Sequence, residues 1–321
     1  MSILITGVAG FIGCNLANLF TSRGIRVVGF DNLCRGDRSH IGHLMENELF
    51  SFIEVDLSDL NAYRSALKRE HSIEEITETW HMAANSDILA GVNDANIDLR
   101  DTFMTSFNTL ELMKEYKIGI LVFASSSAVY GDLGMKKLVE DVGPLFPISN
   151  YGAMKLASEA AISASVEGFL TKAFIFRFPN VIGTPATHGV MLDFIRKLKV
   201  TPDNLVVLGD GTQQKSYLHV EDLIEAMIYI RENATERLNY FNIGAGDIGI
   251  SVHSIAEQVV KTVAPNATIT YGQGNKGWVG DVPKFRYSIE KLEQLGWFPN
   301  RDSVEAVRYA VRQIVEQESS S

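Results

Sequence analysis

The 321-residue sequence predicts an α/β fold, a doubly wound parallel sheet with a smaller, interleaved C-terminal lobe. Three observations predict it. Short apolar runs alternate with stretches of helical spacing as far as residue 177, the rhythm of a parallel sheet. The first apolar run ends in a glycine-rich turn that opens a helix. Residues able to do chemistry fall at the ends of the apolar runs, where ligands of such sheets sit.

Residues 2–5 read as the first strand, and TGVAGFIG at 6–13 as the loop after it. Residues 14–22 are predicted helical, with Leu16, Leu19 and Phe20 at helical spacing. Glycines at 7, 10 and 13 allow a tight turn and bring backbone close to a pyrophosphate at the helix N-terminus. Residues 27–30 form the second strand, and Asp31 ends it. A carboxylate there holds adenosine ribose hydroxyls and repels a 2′-phosphate, which favours NAD over NADP. Residues 52–55 are the third strand, followed by Asp56 and Leu57. Asp56 is a candidate acceptor for the adenine amino group. After a helix at 60–68, a fourth strand at 78–82 runs into HMAAN, residues 81–85. Ala83 and Ala84 are small enough to lie against a flat ligand, and His81 reads as structural. One long helix is expected at 97–116, then a buried strand at 120–124 that runs into Ser125, Ser126 and Ser127. A helix at 151–165 and a strand at 172–177 complete the series.

Tyr151 and Lys155 are four apart and share a helix face. A cation beside a phenol favours the phenolate, against an ordinary pKa of about 10. Lys155 is therefore expected to lower the pKa of Tyr151. A hydroxyl from the serine triplet is placed to bond the same oxygen or a substrate hydroxyl. Together these groups move a proton to or from an alcohol, which is half of an alcohol–ketone oxidation. The glycine loop implies the other half, a dinucleotide that accepts hydride.

After residue 177 the rhythm changes. A helix within 187–199, a short strand at 205–208, a helix at 220–231, a strand at 240–243 and helices at 251–263, 289–295 and 304–315 are expected. The organisation follows: residues 1–177 as the first domain with 214–247 returning to it, 178–213 and 248–316 as the second lobe, and 317–321 as a disordered tail.

The composition, 46% hydrophobic and 21% charged, is that of an ordinary globular enzyme. A net charge of -10 argues against a nucleic-acid or anionic-membrane surface, since both need clustered Lys and Arg. Two cysteines, Cys14 and Cys34, are too few for a disulfide framework. No basic stretch followed by an apolar run opens the chain, and no apolar run approaches the roughly 18 residues of a membrane span. The expectation is a cytoplasmic protein without a metal.

TGVAGFIG, Asp31, Asp56-Leu57, HMAAN, SSSAVYG, YGAMK, RFPNVIG and SYLHVEDL, in this order, resemble an extended short-chain dehydrogenase/reductase with a Rossmann sheet. Within that superfamily the chain is similar to nucleotide-sugar epimerases, most closely the UDP-glucose 4-epimerase-like group. The resemblance implies tightly bound NAD, held by Gly7, Gly10, Phe11, Ile12, Gly13, Asp31, Asn32, Asp56, Leu57, Met82, Ala83, Ala84, Ser125, Tyr151 and Lys155. It implies Tyr151 as acid/base on a sugar 4-hydroxyl, Lys155 as its partner and Ser126 as the catalytic hydroxyl. It implies substrate contacts at Ser126, Ser127, Asn180, Val190, Val207, Lys215 and Phe285, and a homodimer formed through the helices at 97–116 and 151–165. Dehydratases of the superfamily usually carry an acidic pair where Ser126 and Ser127 stand, and related decarboxylases a Glu, so the serines favour 4-epimerisation of a UDP-hexose. Two departures stand out. Lys215 occupies a position that is commonly Arg, and Trp278, with Lys276 nearby, occupies another. Lys supplies charge without the bidentate fork of Arg. Phe285, four residues after Asp281, is bulky where room for an N-acetyl group would be needed. A UDP-glucuronate 4-epimerase, a CDP-sugar 2-epimerase, a nucleotide-sugar reductase and a dinucleotide-sensing regulator are the rival readings.

Overall fold

The protein is described by a computed structural model that covers residues 2–134, 136–274 and 286–320. Its main sheet contains β1 (Ser2–Thr6), β2 (Arg26–Asp31), β3 (Phe50–Glu54), β4 (Ile76–His81) and β5 (Ile120–Ala124), with further strands Lys172–Arg177 and Leu238–Asn242. The order across the sheet is Leu238–Asn242, Lys172–Arg177, β5, β4, β1, β2, β3. Pairing is parallel through the six strands from Lys172–Arg177 to β3. Parallel strands covered on both faces read as continuous apolar runs rather than alternating ones, which is why ILIT, VVGF and ILVFA form the centre. Leu4, Val28, Phe30, Leu121, Phe123 and Ile175 pack there with Tyr63, Leu67 and Ile162 from the covering helices.

The winding reverses at β1, which lies between β2 and β4. A reversal of this kind leaves a crevice beyond the carboxyl ends of the strands, the usual ligand position in open α/β sheets.

The chain forms two compact units. The first contains Met1–Gly131, Gly143–Arg177 and Arg231–Phe241; the second contains Asp132–Val142, Phe178–Ile230 and Asn242–Ser321. In the second, helices Val190–Val200, Val252–Val263 and Ser303–Ser320 surround a core that includes Leu192, Ile195, Leu205, Ile255, Val259, Val307 and Val311. Its strands are short and pair two by two. No helix among the described residues is long and apolar enough to cross a membrane.

Three expectations meet a different structure. The segment 214–247 is divided, because Tyr217–His219 pairs with Asn180–Ile182 in the second unit and only Arg231–Phe241 joins the first. The tail is helical to Ser320 instead of disordered. Gln317 there exchanges hydrogen bonds with the Ala186 backbone, and Glu318 pairs with Arg196 at 2.8 Å. The single helix expected at 97–116 is broken into Ala95–Asp98, a π-helical turn at Leu99–Met104 and Thr105–Glu115. Thr105, Ser106 and Thr109 all turn their hydroxyls onto carbonyls three or four residues back, which competes with the regular ladder.

Candidate active site

The turn after β1 is built for close backbone approach. Gly7 has φ +68°, and a Cβ there would lie 2.8 Å from the Ala83 nitrogen. A Cβ on Gly13 would lie 2.2 Å from the Gly7 carbonyl oxygen. Gly10 caps the helix Phe11–Ser22 without a side chain, and its first turn carries no acidic residue. The first-turn N–H groups and the positive end of the helix dipole are thus left for an anion. Such a cradle fits the pyrophosphate of a dinucleotide, with Phe11, Ile12 and Gly13 forming the turn itself.

Asp31 ends β2 and is 7% exposed. It accepts from the N–H of Ala9 at 3.0 Å and of Leu33 at 2.8 Å, which ties the end of β2 to the glycine turn. Burial raises its pKa, and the backbone donors oppose that. Each carboxylate oxygen keeps a second lone pair, so a ribose diol still fits. Asn32 caps the following turn by accepting from the Cys34 N–H. Asp56 closes a turn onto the N–H and hydroxyl of Ser58, both at 2.8 Å, and the Leu57 carbonyl accepts from Asn108. Met82 and Ala83 are drawn to the end of β1 by bonds to the Thr6 carbonyl and hydroxyl, and Ala84 follows them half-buried. His81 is enclosed by Thr6, Ser106 and Thr109. Burial, then the charge of Lys155, pushes its pKa down to about 3, so it is a neutral structural imidazole.

Tyr151 and Lys155 lie on the helix Asn150–Gly168, which Ser149 caps through the Gly152 N–H. Gly152 is required, because a Cβ there would lie 2.5 Å from the Ala128 carbonyl. Lys155 is 1% exposed and donates to the Ala124 carbonyl at the end of β5 at 2.6 Å. Its Nζ stands 5.8 Å from the centre of the Tyr151 ring and 4.6 Å from that of Phe123. Burial brings its pKa down to about 7 against the pull of Glu159 and Asp98. The expectation that Lys155 would lower the pKa of Tyr151 is corrected here. Burial instead raises it to about 12, a hydrogen bond with Ser126 opposes the rise, and Asp98 adds to it. The ammonium is aimed at the Ala124 carbonyl rather than at the phenol oxygen.

The three serines have separate tasks. Ser126 opposes the rise in the Tyr151 pKa and accepts from the Ala128 N–H at 3.1 Å. Ser127 begins the short 3-10 turn Ser127–Tyr130 and is half-buried. Ser125 is buried and donates to Glu159 at 2.5 Å. Glu159 also takes a bidentate pair of bonds from Arg177, whose third nitrogen reaches the Tyr130 hydroxyl. This buried set was missed in the sequence, although Glu159 lies four residues after Lys155 and Arg177 opens RFPNVIG. Asp98 was also missed; nothing in its sequence surroundings marks it.

In the second unit, Asn180 is half-buried opposite Tyr217, and Val190 opens the helix Val190–Val200. Val207 ends the strand Asn204–Val207 and is buried, and Lys215 is half-buried opposite Ile250. Phe285, Asp281, Trp278 and Lys276 lie outside the described residues.

Residues 3–244 match the model of the NAD dependent epimerase/dehydratase family. A putative UDP-glucose 4-epimerase of Methanocaldococcus jannaschii is 27% identical over 314 residues, 96% of this chain and 97% of that one. The crystal structure of a UDP-galactose 4-epimerase superposes with a TM-score of 0.84 at 30% identity, covering 99% of both chains. The UDP-glucose 4-epimerase of Thermus thermophilus in complex with NAD gives a TM-score of 0.84 at 26% identity, covering 98% of this chain and 99% of that one.

Proposed function

The chain belongs to the NAD dependent epimerase/dehydratase family, and we propose that it interconverts the C4 epimers of a UDP-sugar of the UDP-glucose/UDP-galactose type. The observation that carries this reading is Tyr151 one helical turn from buried Lys155, whose Nζ stands 5.8 Å from the centre of its ring, with hydroxyls alone at positions 125–127. Elimination of water needs an acid and a base beside the reacting carbons, and the serines supply neither. Epimerisation at an alcohol carbon needs one group that takes and returns a proton. Tyr151 performs that exchange at the sugar 4-hydroxyl, Ser126 orients the same oxygen, and Lys155 holds positive charge next to the ring. NAD, held by the glycine turn, Asp31 and the Met82–Ala83–Ala84 edge, supplies the hydride acceptor when bound. Asn180, Val190, Val207 and Lys215 serve the nucleotide and diphosphate. A homodimer through the Thr105–Glu115 and Asn150–Gly168 helices belongs to the same reading. It is supported by Leu99 and Phe107, which expose large apolar side chains on and beside the first of these helices.

The test is to offer UDP-glucose, UDP-glucuronic acid and UDP-N-acetylglucosamine separately to purified protein without added NAD. The C4 epimer is then sought by NMR. Conversion of UDP-glucose is expected. Bound NAD with no conversion of any of the three would direct the reading to another carbon or another nucleotide.

A further inference from the structure

The helix Asn150–Gly168 meets the segment after β5 at three points. Gly152 lies so close to the Ala128 carbonyl oxygen that a Cβ would come within 2.5 Å of it. Lys155 donates to the Ala124 carbonyl at 2.6 Å. Glu159 accepts from the Ser125 hydroxyl at 2.5 Å. Successive intervals of three and four residues put these contacts on one stripe of the helix. Tyr151 on the helix and Ser126 on the segment, the two groups assigned to the sugar hydroxyl, lie within this stretch of contacts.

Arg177 completes the arrangement. It ends the strand Lys172–Arg177, and its two bonds to Glu159, at 3.0 Å and 2.6 Å, fix the carboxylate in one orientation. Another of its nitrogens donates to the Tyr130 hydroxyl at 3.1 Å, and the guanidinium carbon lies 5.0 Å from the centre of the Tyr130 ring. Tyr130 closes the 3-10 turn that Ser127 opens. The pair therefore grips residues 125–130 at both ends, Ser125 through the carboxylate and Tyr130 through the guanidinium. Ser126 and Ser127 stand between the two anchors. The Arg177 and Glu159 side chains are 8% and 7% exposed, and no other ion pair among the described residues has both side chains buried to this degree. A buried ion pair adds little stability over apolar side chains of like volume. What apolar side chains do not supply is direction, and direction is what a segment carrying reacting hydroxyls requires.

We propose that Glu159 and Arg177 are positioning residues, which act through Ser125 and Tyr130 to hold the Ser126–Ser127 segment in register with Tyr151. The inference deepens, and rests on, the reading of Tyr151 and Ser126 as the groups that handle the sugar hydroxyl. A segment released at one end keeps its binding partners but loses alignment, so turnover falls while affinity does not.

Tyr130→Phe removes one anchoring bond and keeps the ring beside the guanidinium. Two measurements test it, with NAD content and melting temperature as controls. The first is hydrogen–deuterium exchange read by mass spectrometry. The amides of Ser125, Ala128, Val129 and Gly131 are hydrogen-bonded in the wild type. They should exchange about tenfold faster in the variant, as loss of one bond to a charged group implies. Unchanged exchange would overturn the proposal. The second is a kinetic cycle with Ser126→Ala. In the wild-type background Tyr130→Phe should lower kcat about tenfold and leave KM within about twofold. In the Ser126→Ala background it should lower kcat by less than about twofold, because the group being positioned is absent. Equal losses in the two backgrounds would mean that the pair supports the fold at large, and would overturn the proposal. Should Tyr130→Phe not fold, Ser125→Ala releases the other end, and the same outcomes decide. The two readings fail separately. Wild-type rates in Ser126→Ala would remove Ser126 from the reaction, while exchange still reports whether the pair holds the segment.

Discussion

The two units meet their tasks by different means. In the first, polar groups at the strand ends are buried and tied to one another: Asp31 to the glycine turn, His81 to three hydroxyls, Glu159 to Arg177 and Ser125. In the second, the candidate substrate residues Asn180, Val190 and Lys215 are half-buried, Asn180 and Lys215 on strands of three and two residues and Val190 at the start of a helix. A buried and fully bonded group has one arrangement and suits chemistry, where a small misplacement is costly. A half-exposed side chain adapts and suits recognition. Changes in the first unit should therefore strike turnover or the cofactor, and changes in the second should strike substrate affinity.

The largest effect is expected at Tyr151. Tyr151→Phe should retain NAD and lose kcat by a factor on the order of a hundred or more, measured by steady-state turnover alongside the cofactor absorbance of the purified protein. Next is Gly13→Ala, whose Cβ would collide with the Gly7 carbonyl oxygen at 2.2 Å. Both atoms belong to a tight backbone turn, so relief requires the cradle to open, at a cost of roughly 1–3 kcal/mol. The purified variant should contain little NAD and melt at lower temperature. Full NAD content would show that the turn is not the anion site. In the second unit, Lys215→Ala should raise KM for the nucleotide sugar about tenfold and leave kcat within about twofold, the signature of lost uniform binding. Lys215→Arg should recover or improve KM through its bidentate fork. A fall in kcat with unchanged KM in Lys215→Ala would erase the contrast between the units.

The smallest effect concerns stability. His81 has an ordinary pKa of 6.5 and a folded value of about 3. The unfolded chain therefore binds the extra proton first, and the stability contribution is present above 6.5 and lost as pH falls toward 3. His81→Gln should be less stable near neutrality but show a flatter decline of melting temperature with acid.

The sheet was legible because ILIT, VVGF and ILVFA are apolar runs separated by helical spacing, and the glycine turn, Asp31 and Tyr151–Lys155 stand out as candidates by residue type and interval. What stayed hidden depends on burial and direction. The interval between Tyr151 and Lys155 shows that they share a face, but not that the ammonium turns to the Ala124 carbonyl while burial raises the phenol's pKa to about 12. Asp98 reads as one of many acidic residues until folding buries it. The π-helical turn arises from hydroxyls that bond backward within an otherwise helical stretch. The helical tail is held by bonds from Gln317 and Glu318 to residues more than a hundred positions away, which no local pattern reveals.

The central claim is that a proton and a hydride leave and return at one sugar carbon, with Tyr151 handling the proton. The most direct measurement offers UDP-glucose carrying deuterium at C4 to the purified protein in ordinary water, with no NAD added, and reads the product by NMR. The account predicts a C4 epimer that still carries deuterium at C4. Product with hydrogen in its place would mean that the label was exchanged with solvent as a proton, and would contradict it.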